Sequence, residues 1–532
     1  MRRSRANGKR GIKYCVPGII AVVLLLGCGS GREGEEGFLR LRLKDDLSTL
    51  DPAFIVDVPG GAVAAKIFNN LVRFDPEGKI VPDLAERWEI SADGTLYRFF
   101  LRPGVRFHSG REMEASDVIY SLRRLLDPAV NSPRFWLLEG VAGAGEFRAG
   151  ESPGPEGIRS PRAGLVEIEL DRPSPLFLYY LALPGCAIVP REAVEGQEGG
   201  FASRPVGTGP FSLREWRRQN RLVLVRNPDY FAGPPALPGV VYRVIPEALT
   251  AAVEFERGNL DLIEVPRAEH GRYTSSAPWK DLVESRVGLN VYYLGFNCRR
   301  PPFDDPRVRR AFNYALDREK IIEAILENRA AAAAGPVPPD LLPPAGAGYP
   351  YDPEEARRLL EESGVGLPLK VELLFKSDRE VLTIAEVIQS YLKEVGIEAV
   401  LLQREWSAFL QALNEGDFDL FYLSWWGDYP DPENFLYPTF HTANIGPGGN
   451  RTLFSDSAVD ESLQAAAAEL DPDRRRELLA AAAGRVVDLA PWVFLWHKKE
   501  VMIRSPRLEN YRIPLIYNGD KFLELRLAPP GE

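Results

Sequence analysis

The chain has 532 residues, of which 45% are hydrophobic, and it carries a formal net charge of −10. This length exceeds what one hydrophobic core usually supports, so we expect two or three domains. Residues 1–27 hold six basic side chains and no acidic one, so their removal would leave a net charge of −16. Such an acidic chain argues against a nucleic-acid partner, which needs clustered Lys and Arg, and favours cationic or zwitterionic solutes.

The N-terminal segment predicts export from the cytoplasm. Basic residues within 1–13 precede an apolar run from Val16 to Leu26, which is shorter than the roughly 20 residues of a membrane-spanning helix. The sequence LLGC that ends at Cys28 resembles a bacterial lipobox, which implies cleavage after residue 27 and diacylation of the Cys28 thiol. An ordinary signal peptide with a chance cysteine is the alternative. Residues 28–37 are glycine-rich and charged, and they predict a flexible tether.

Beyond the tether, short apolar segments alternate with helices that have clear start signals. Predicted strands include LVLV (222–225), VVYRVI (240–245), VYYLGF (291–296) and LKVELLF (369–375). One predicted helix is capped by Asp305 and begins at Pro306, and another is capped by Asp352 and ends at Gly364. Alternation of this kind predicts α/β domains.

Residue types that carry chemistry are few and scattered. The sequence contains no phosphate-binding loop, no serine-hydrolase or zinc-protease motif and no CxxC pair, and its histidines at 108, 270, 441 and 497 lie far apart. His108 lies in an alternating segment and is interpreted as a packed or surface residue. We therefore expect no enzyme, no cofactor and no metal site. Outside the export signal, Cys186 and Cys298 leave open either a disulfide or two buried free thiols.

Seven sequence blocks follow one another in the order typical of one bacterial family. They are GKIVPDLAERWEISADGTLYRFFLRPGVRFHSGREMEASDVIYSL (78–122), VGTGPFSLREW (206–216), RNPDYF (226–231), AVEFERGNLDLIEV (252–265), GFN with PPFDDPRVRRAFNYALDREKI (295–321), YDPEEARRLLEESG (351–364) and WWGDYPDPENF (425–435). In these blocks the chain resembles the bacterial extracellular solute-binding proteins of family 5, the peptide, dipeptide and nickel receptors of ABC importers. The resemblance covers more than 400 residues.

The resemblance implies an α/β fold of the periplasmic-binding-protein type II, cluster C, with two hinged α/β lobes and an extra domain inserted into the first. The expected bounds are 38–70, 186–290 and 495–532 for the first lobe, 71–185 for the inserted domain, and 291–494 for the other lobe. Two crossing strands would join the lobes. LNVYYLGFN (289–297) fits the first crossing and WVFLWHKK (492–499) the return.

The block WWGDYPDPENF supplies the candidate ligand-binding residues. In peptide-binding members of the family, this block implies that Asp428 pairs with the α-ammonium of the ligand, that Trp425 walls the site and that Trp426 tunes the pocket. Tyr293, on the first crossing strand, is a further candidate expected to face the cleft. A loop cap remains the alternative for Asp428, and core packing the alternative for Trp425. Asp431 fits a helix start better than a ligand contact.

We therefore predict a monomeric, lipid-anchored receptor that captures peptides in a cleft between the lobes and delivers them to an ABC transporter permease. A receptor of the same fold for a non-peptide solute, such as a nickel chelate, opine, sugar or antibiotic, is the alternative. A glycosidase-like hydrolase that uses Asp428 and Asp431 is the least favoured hypothesis, because no further acidic site supports the pair.

Overall fold

The computed structural model describes residues 35–196, 200–344, 346, 348–447 and 449–529. The predicted signal peptide, the lipidation site Cys28 and most of the predicted tether lie outside these residues. Contacts within the chain separate Met1–Glu36 from Gly37–Glu532, and the description below concerns the second part. Among the described residues, no helix is both long enough and apolar enough to cross a membrane.

Strands and helices alternate along the chain, as the sequence predicts. The strands are β1 (Leu39–Leu43), β2 (Val72–Phe74), β3 (Ile80–Pro82), β4 (Ala85–Ile90), β5 (Leu96–Leu101), β6 (Ile158–Arg162), β7 (Leu165–Glu169), β8 (Phe211–Arg217), β9 (Arg221–Arg226), β10 (Gly239–Val244), β11 (Leu262–Glu264), β12 (Val283–Val287), β13 (Asn290–Phe296), β14 (Ala330–Ala332), β15 (Leu369–Lys376), β16 (Ile397–Arg404), β17 (Leu420–Trp426), β18 (Trp492–Arg504), β19 (Leu508–Glu509) and β20 (Arg526–Leu527). The four strands predicted from apolar segments are confirmed as parts of β9, β10, β13 and β15.

The described residues also form fifteen α-helices. They are α1 (Val58–Ile67), α2 (Ala115–Leu126), α3 (Ala144–Arg148), α4 (Phe177–Leu181), α5 (Arg191–Glu195), α6 (Ala248–Glu256), α7 (His270–Ser275), α8 (Pro306–Tyr314), α9 (Arg318–Ala324), α10 (Pro353–Ser363), α11 (Arg379–Glu394), α12 (Trp406–Glu415), α13 (Glu433–Phe440), α14 (Ser457–Ala468) and α15 (Pro472–Leu489). The predicted caps of α8 and α10 are confirmed, since Asp305 accepts from the N–H of Arg307 and Asp352 from that of Glu355. Gly364 ends α10 with φ 76°.

The largest sheet of the described residues has twelve strands in the order β16-β15-β17-β13-β18-β11-β1-β10-β9-β8, with β12 and β14 also pairing with β18. We call β1 and β8–β11 the β1 side of this sheet, and β13 with β15–β17 the β17 side. A separate four-stranded sheet, β4-β5-β7-β6, is formed within residues 85–169. This mixture of parallel and antiparallel strands with packed helices confirms the α/β fold class.

Strand β18 joins the two sides of the large sheet. Its first residues pair with β13, where Tyr292 lies opposite Trp496, and its later residues pair with β12 and β11. The connection from β12 to β13 runs beside it, so the chain passes between the sides twice, close to the two crossings expected from the sequence. Both passages are short and direct, since only Gly288 and Leu289 separate β12 from β13 and β18 runs through without a break.

Hydrogen bonds between side chains and backbone groups join β13 to β18 at this crossing. Asn290 is 1% exposed. Its Oδ1 accepts from the N–H of Lys498 at 2.7 Å, and its Nδ2 donates to the carbonyl of Lys498 at 3.1 Å. The Nδ1–H of His497 donates to the carbonyl of Asn290 at 2.6 Å. Burial lowers the pKa of His497 to about 4, so its ring is neutral and the crossing gains no charge from it at neutral pH.

The remaining histidine and cysteine predictions concern packing. His108 bridges backbone groups, with Nδ1 accepting from the N–H of Gly207 at 3.2 Å and Nε2 lying 3.0 Å from the carbonyl of Gly209. This confirms the interpretation of His108 as a packed residue. Cys186 and Cys298 are free thiols. Of the two alternatives that the sequence left open, a disulfide and two free thiols, the structure shows the free thiols.

Candidate functional site

The candidate site lies between the β1 side and the β17 side, where a cavity of about 620 Å³ is lined by residues of both. Leu41, Arg42 and Tyr242 line it from the β1 side, and Tyr292 and Trp426 line it from the β17 side. A smaller cavity of about 170 Å³ lies against Tyr422–Ser424. We call the space that contains both cavities the cleft.

The end of β17 is an open strand edge beside this cleft. β17 pairs with β13 along Leu420–Trp426, but β15 pairs with it only at Leu420 and Phe421. The N–H of Gly427 donates to the carbonyl of Leu289 at 2.9 Å, and bonded pairs alternate along an antiparallel ladder. Ser424 and Trp426 therefore direct their backbone N–H and C=O groups away from β13, towards the open edge.

The two tryptophans at this edge face opposite sides of β17. Trp426 is 54% exposed and meets the ring of Tyr292 edge-on at 6.4 Å. Trp425 is half-buried against the hydrophobic core, and its Nε1–H donates to the carbonyl of Asn434 at 2.8 Å. Trp426 thus lines the cleft, while Trp425 supports the strand from behind, because successive side chains of a strand point to opposite faces.

Asp428 follows β17 by two residues and lies outside the lining of both cavities. Its backbone N–H donates to Oδ1 of Asn434 at 3.2 Å, which fixes the loop. Its carboxylate reaches solvent, yet the surrounding protein raises the pKa of the carboxyl by desolvation, and Arg134 opposes this rise. Tyr517 shares this environment, since burial raises its pKa to about 12 and both Arg134 and Asp428 act on it.

The loop behind Asp428 is anchored by buried charges. Asp431 is 4% exposed and forms a two-pronged ion pair with Arg475, with contacts of 2.7 and 2.8 Å. Its Oδ1 also accepts from the N–H of Glu433, the first residue of α13, at 2.9 Å, so it lies at the start of this helix, where the sequence places it. Because Arg475 occupies both oxygens, Asp431 is not free to act as the second acid of a glycosidase pair with Asp428.

Glu433 lies in the same anchor and is 8% exposed. It accepts from the hydroxyl of Tyr429 at 2.8 Å, and Tyr429 meets the ring of Tyr180 at 5.5 Å. Asp431 therefore pairs with the guanidinium of Arg475, while the nearby Glu433 is held by the hydroxyl of Tyr429. Burial and, next, the charge of Asp431 raise the pKa of Glu433 to about 7, against smaller opposing effects of Tyr429 and Arg475.

The expectation that Tyr293 faces the cleft is corrected by the structure. Tyr293 is 2% exposed, and its ring stacks on that of Trp492 with centroids 3.5 Å apart. Its neighbour Tyr292 faces the cleft instead. The reason is the strand period of two, together with the register shift between Tyr292 and Tyr293 where β13 meets β18, neither of which the residue types reveal.

Sequence reasoning missed three residues that line both cavities of the cleft, namely Tyr292, Glu380 and Lys498. It also missed Arg134, whose charge acts on Asp428. Tyr292 could have been found from the sequence, because successive side chains of the predicted strand point to opposite faces and either Tyr292 or Tyr293 could be the one that faces the cleft. Glu380 and Lys498 carry no local signal, because a charged residue at a helix start or strand end is usually solvated. In the described residues, no group of three or more His, Cys, Asp or Glu side chains has the geometry of a metal site.

Comparison with known proteins identifies a family pattern. The sequence model described as "Bacterial extracellular solute-binding proteins, family 5 Middle" matches residues 79–447. The chain is 32% identical to a protein named "Probable di/tripeptide-binding protein 5" of Pseudomonas aeruginosa, over 85% of this chain and 88% of the relative. It is also 32% identical to "Heme-binding protein A" of Haemophilus influenzae, over 86% of this chain and 87% of the relative.

Solved structures extend the likeness to the fold and to its conformation. The murein tripeptide-binding protein MppA in its unliganded open form superposes with a TM-score of 0.84, at 27% identity, over 93% of this chain and 98% of that chain. DppA of Helicobacter pylori in complex with the peptide STSA superposes with a TM-score of 0.71, at 26% identity, over 92% of this chain and 98% of that chain. The present conformation is therefore closer to the open form than to the peptide complex.

Proposed function

This chain belongs to the bacterial extracellular solute-binding proteins of family 5, and from that premise we propose that it captures peptides and delivers them to the permease of an ABC transporter. The observation that carries the proposal is the open edge of β17, whose backbone groups at Ser424 and Trp426 face the cleft beside Asp428. The relative named for di- and tripeptides, and the peptide complex among the similar structures, agree with this choice of ligand.

A peptide is suited to this edge because its own backbone supplies the missing ladder partners. An extended ligand would add a short strand along Ser424–Trp426, and main-chain hydrogen bonds of this kind give affinity without regard to side chains. Its α-ammonium would then meet the carboxylate of Asp428 at the end of the strand. A charge-assisted contact in a closed cleft contributes about 1.5–3 kcal/mol, which is enough to fix the direction of the ligand.

Capture requires the two sides of the cleft to close on the ligand. We assign residues 38–70, 186–290 and 495–532 to the first lobe, 71–185 to an inserted domain and 291–494 to the second lobe, hinged at the crossing beside Asn290. The support for this division is the sheet order around β18 and the greater likeness to an open form than to a peptide complex. Closure would remove water from Asp428 and strengthen its attraction for an ammonium group.

The receptor is proposed to act as a monomer tethered to the membrane by lipid on Cys28. The support for the tether is the lipobox-like sequence, and the support for the monomer is that one chain supplies both walls of the cleft. We expect Cys28→Ala to release the protein from the membrane fraction, because the diacylated thiol would be lost. Fractionation of cells followed by immunoblotting checks this, and a variant that pellets with membranes as the wild type does would refute the tether.

Calorimetry with defined peptides tests the function. The purified protein is titrated with dialanine, trialanine and tetra-alanine, and native mass spectrometry identifies any ligand retained from the producing cells. We expect micromolar or tighter binding of at least one peptide, with no product formed during prolonged incubation. If no peptide binds and the retained ligand is not a peptide, the protein is a receptor for another solute, and the relative named for haem makes haem the first compound to titrate.

A further inference from the structure

Three side chains stand between the two cavities of the cleft. Tyr292, Glu380 and Lys498 line both the 620 Å³ cavity and the 170 Å³ cavity beside the open edge of β17. Glu380 lies in the first turn of α11, and Lys498 lies in β18 at the crossing. A ligand that follows the β17 edge from Asp428 therefore reaches these side chains after a few residues.

The carboxylate of Glu380 is held by two cations from different parts of the molecule. Its Oε2 accepts from Nη1 of Arg267 at 2.8 Å, and its Oε1 accepts from Nζ of Lys498 at 3.3 Å. Arg267 lies just after β11, on the β1 side, and also donates to the carbonyl of Ile325 at 2.7 Å. The carboxylate of Glu380 thus pairs with two cations that line the cleft, Arg267 from the β1 side and Lys498 from the crossing.

These ion pairs are weak enough to be exchanged. The side chains of Arg267, Glu380 and Lys498 are 41%, 32% and 34% exposed. Ion pairs with that much solvent contact are individually weak. Lys498 is additionally placed 4.8 Å from the centre of the Tyr292 ring, so its ammonium keeps its position if the carboxylate leaves. A second carboxylate that enters with the ligand can therefore compete for Lys498.

We propose that Glu380 is a specificity-determining residue that acts as a resident counterion for Lys498, and that the terminal carboxylate of a bound peptide replaces it there. This inference rests on the proposed peptide function. The negative charge of Glu380 then lowers the affinity for every ligand with a free carboxyl end. This loss is recovered only where the terminal carboxylate reaches Lys498. Displacement of the Glu380 side chain also removes one of the three side chains that separate the two cavities.

The test compares peptides that differ only at the carboxyl end. Trialanine and trialanine amide are titrated by calorimetry into the wild type, Glu380→Gln and Lys498→Met. Removal of the resident charge by Glu380→Gln is expected to tighten trialanine by roughly tenfold and to change the amide by less than about twofold. Lys498→Met is expected to weaken trialanine by about tenfold and to bring it close to the amide. Glu386→Gln, an exposed change on the same helix α11, serves as the matched control and should leave both affinities unchanged.

The outcomes separate this inference from the function on which it rests. If trialanine binds the wild type and Glu380→Gln equally well, or if the amide gains as much as the free acid, Glu380 is not the counterion that the ligand displaces. If neither form binds the wild type or Glu380→Gln, the proposed peptide function fails and this inference fails with it. A gain confined to the free acid and lost in the double variant Glu380→Gln/Lys498→Met supports the exchange.

Discussion

At the scale of single residues, Asp428 carries the sharpest claim about the ligand. Its carboxylate is open to solvent on one side and desolvated on the others, with Arg134 as the nearby opposing charge. Such a group gains more from an incoming ammonium than a fully solvated aspartate does. In the proposed function, recognition of the ligand's α-ammonium therefore depends on the side chain of Asp428, whose loop is anchored by buried groups.

We expect Asp428→Asn to weaken the binding of trialanine by roughly ten- to a hundredfold, because the shape of the side chain is kept while its charge is lost. N-acetylation of the peptide should weaken binding to the wild type to a similar extent. The two losses should not add, since either change removes the same contact. Calorimetry on the four combinations measures this, and a variant that binds both peptides as tightly as the wild type would reduce Asp428 to a loop residue.

The buried carboxyl of Glu433 leads to a prediction about the stability of the protein. The pKa of this carboxyl is raised from the usual 4.5 to about 7, so the folded state favours the protonated form. This contribution to stability is fully present below about pH 4.5 and is lost as the pH rises through 7. Glu433→Gln keeps an acceptor for Tyr429 and removes the ionisation. Relative to the wild type, its free energy of unfolding should rise by on the order of 2 kcal/mol between pH 5 and pH 8.

Urea unfolding at both pH values measures this difference. The exposed Glu461→Gln in α14 is the matched control, and it should follow the wild type at each pH. A Glu433→Gln variant whose stability runs parallel to that of the wild type from pH 5 to pH 8 would show that Glu433 is ionised throughout this range in the folded protein.

At the scale of elements, the crossing of β18 with the β12–β13 connection determines how the two sides of the sheet are joined. The side chain of Asn290 exchanges hydrogen bonds with both backbone groups of Lys498 at this point. A buried amide that satisfies two backbone groups stabilises one register of the strands, because any slip would leave all of these groups unpaired. These hydrogen bonds therefore give the crossing a defined geometry.

We expect Asn290→Ala to lower the free energy of unfolding by about 1–3 kcal/mol, because the N–H of Lys498 would lose its buried acceptor. Asn220→Ala, at an exposed turn between β8 and β9, is the control and should cost less than about 0.5 kcal/mol. Urea unfolding of the two variants beside the wild type gives both values. Equal stabilities of Asn290→Ala and the wild type would mean that the crossing does not depend on this side chain.

At the scale of the whole molecule, the structure superposes better on the unliganded open form of MppA, with a TM-score of 0.84, than on the DppA peptide complex, with 0.71. We expect a saturating peptide to reduce the radius of gyration measured by small-angle X-ray scattering, because the lobes would close around the crossing beside Asn290. The N-acetylated peptide at the same concentration is the control, and it should reduce the radius less, in proportion to the bound fraction that calorimetry gives. Equal radii with and without a peptide whose binding calorimetry confirms would contradict closure as the mechanism.

The amino-acid sequence by itself determined the family, the α/β class, the positions of strands such as β9 and β15, and the caps of α8 and α10. These features are local or depend on short blocks, because a cap needs only a side chain and the next turn of backbone, and a strand needs only its own pattern. The location of the β17 loop also followed from one block of eleven residues. Its detailed roles at Asp428, Trp425 and Trp426 stay predictions until the variants are measured.

Only the tertiary structure decided which side chains share the cleft. Tyr292 replaces Tyr293 because the register of β13 against β18 sets the face that each residue takes. Glu380 and Lys498 meet although 118 residues separate them, and their charges look like ordinary solvated groups in the sequence. Asp431 pairs with Arg475 of α15, and Glu433 accepts from Tyr429, so an acidic loop that looks solvated in the sequence is a buried anchor in the structure. Such contacts depend on how distant elements pack, and a single sequence contains no local pattern that specifies them.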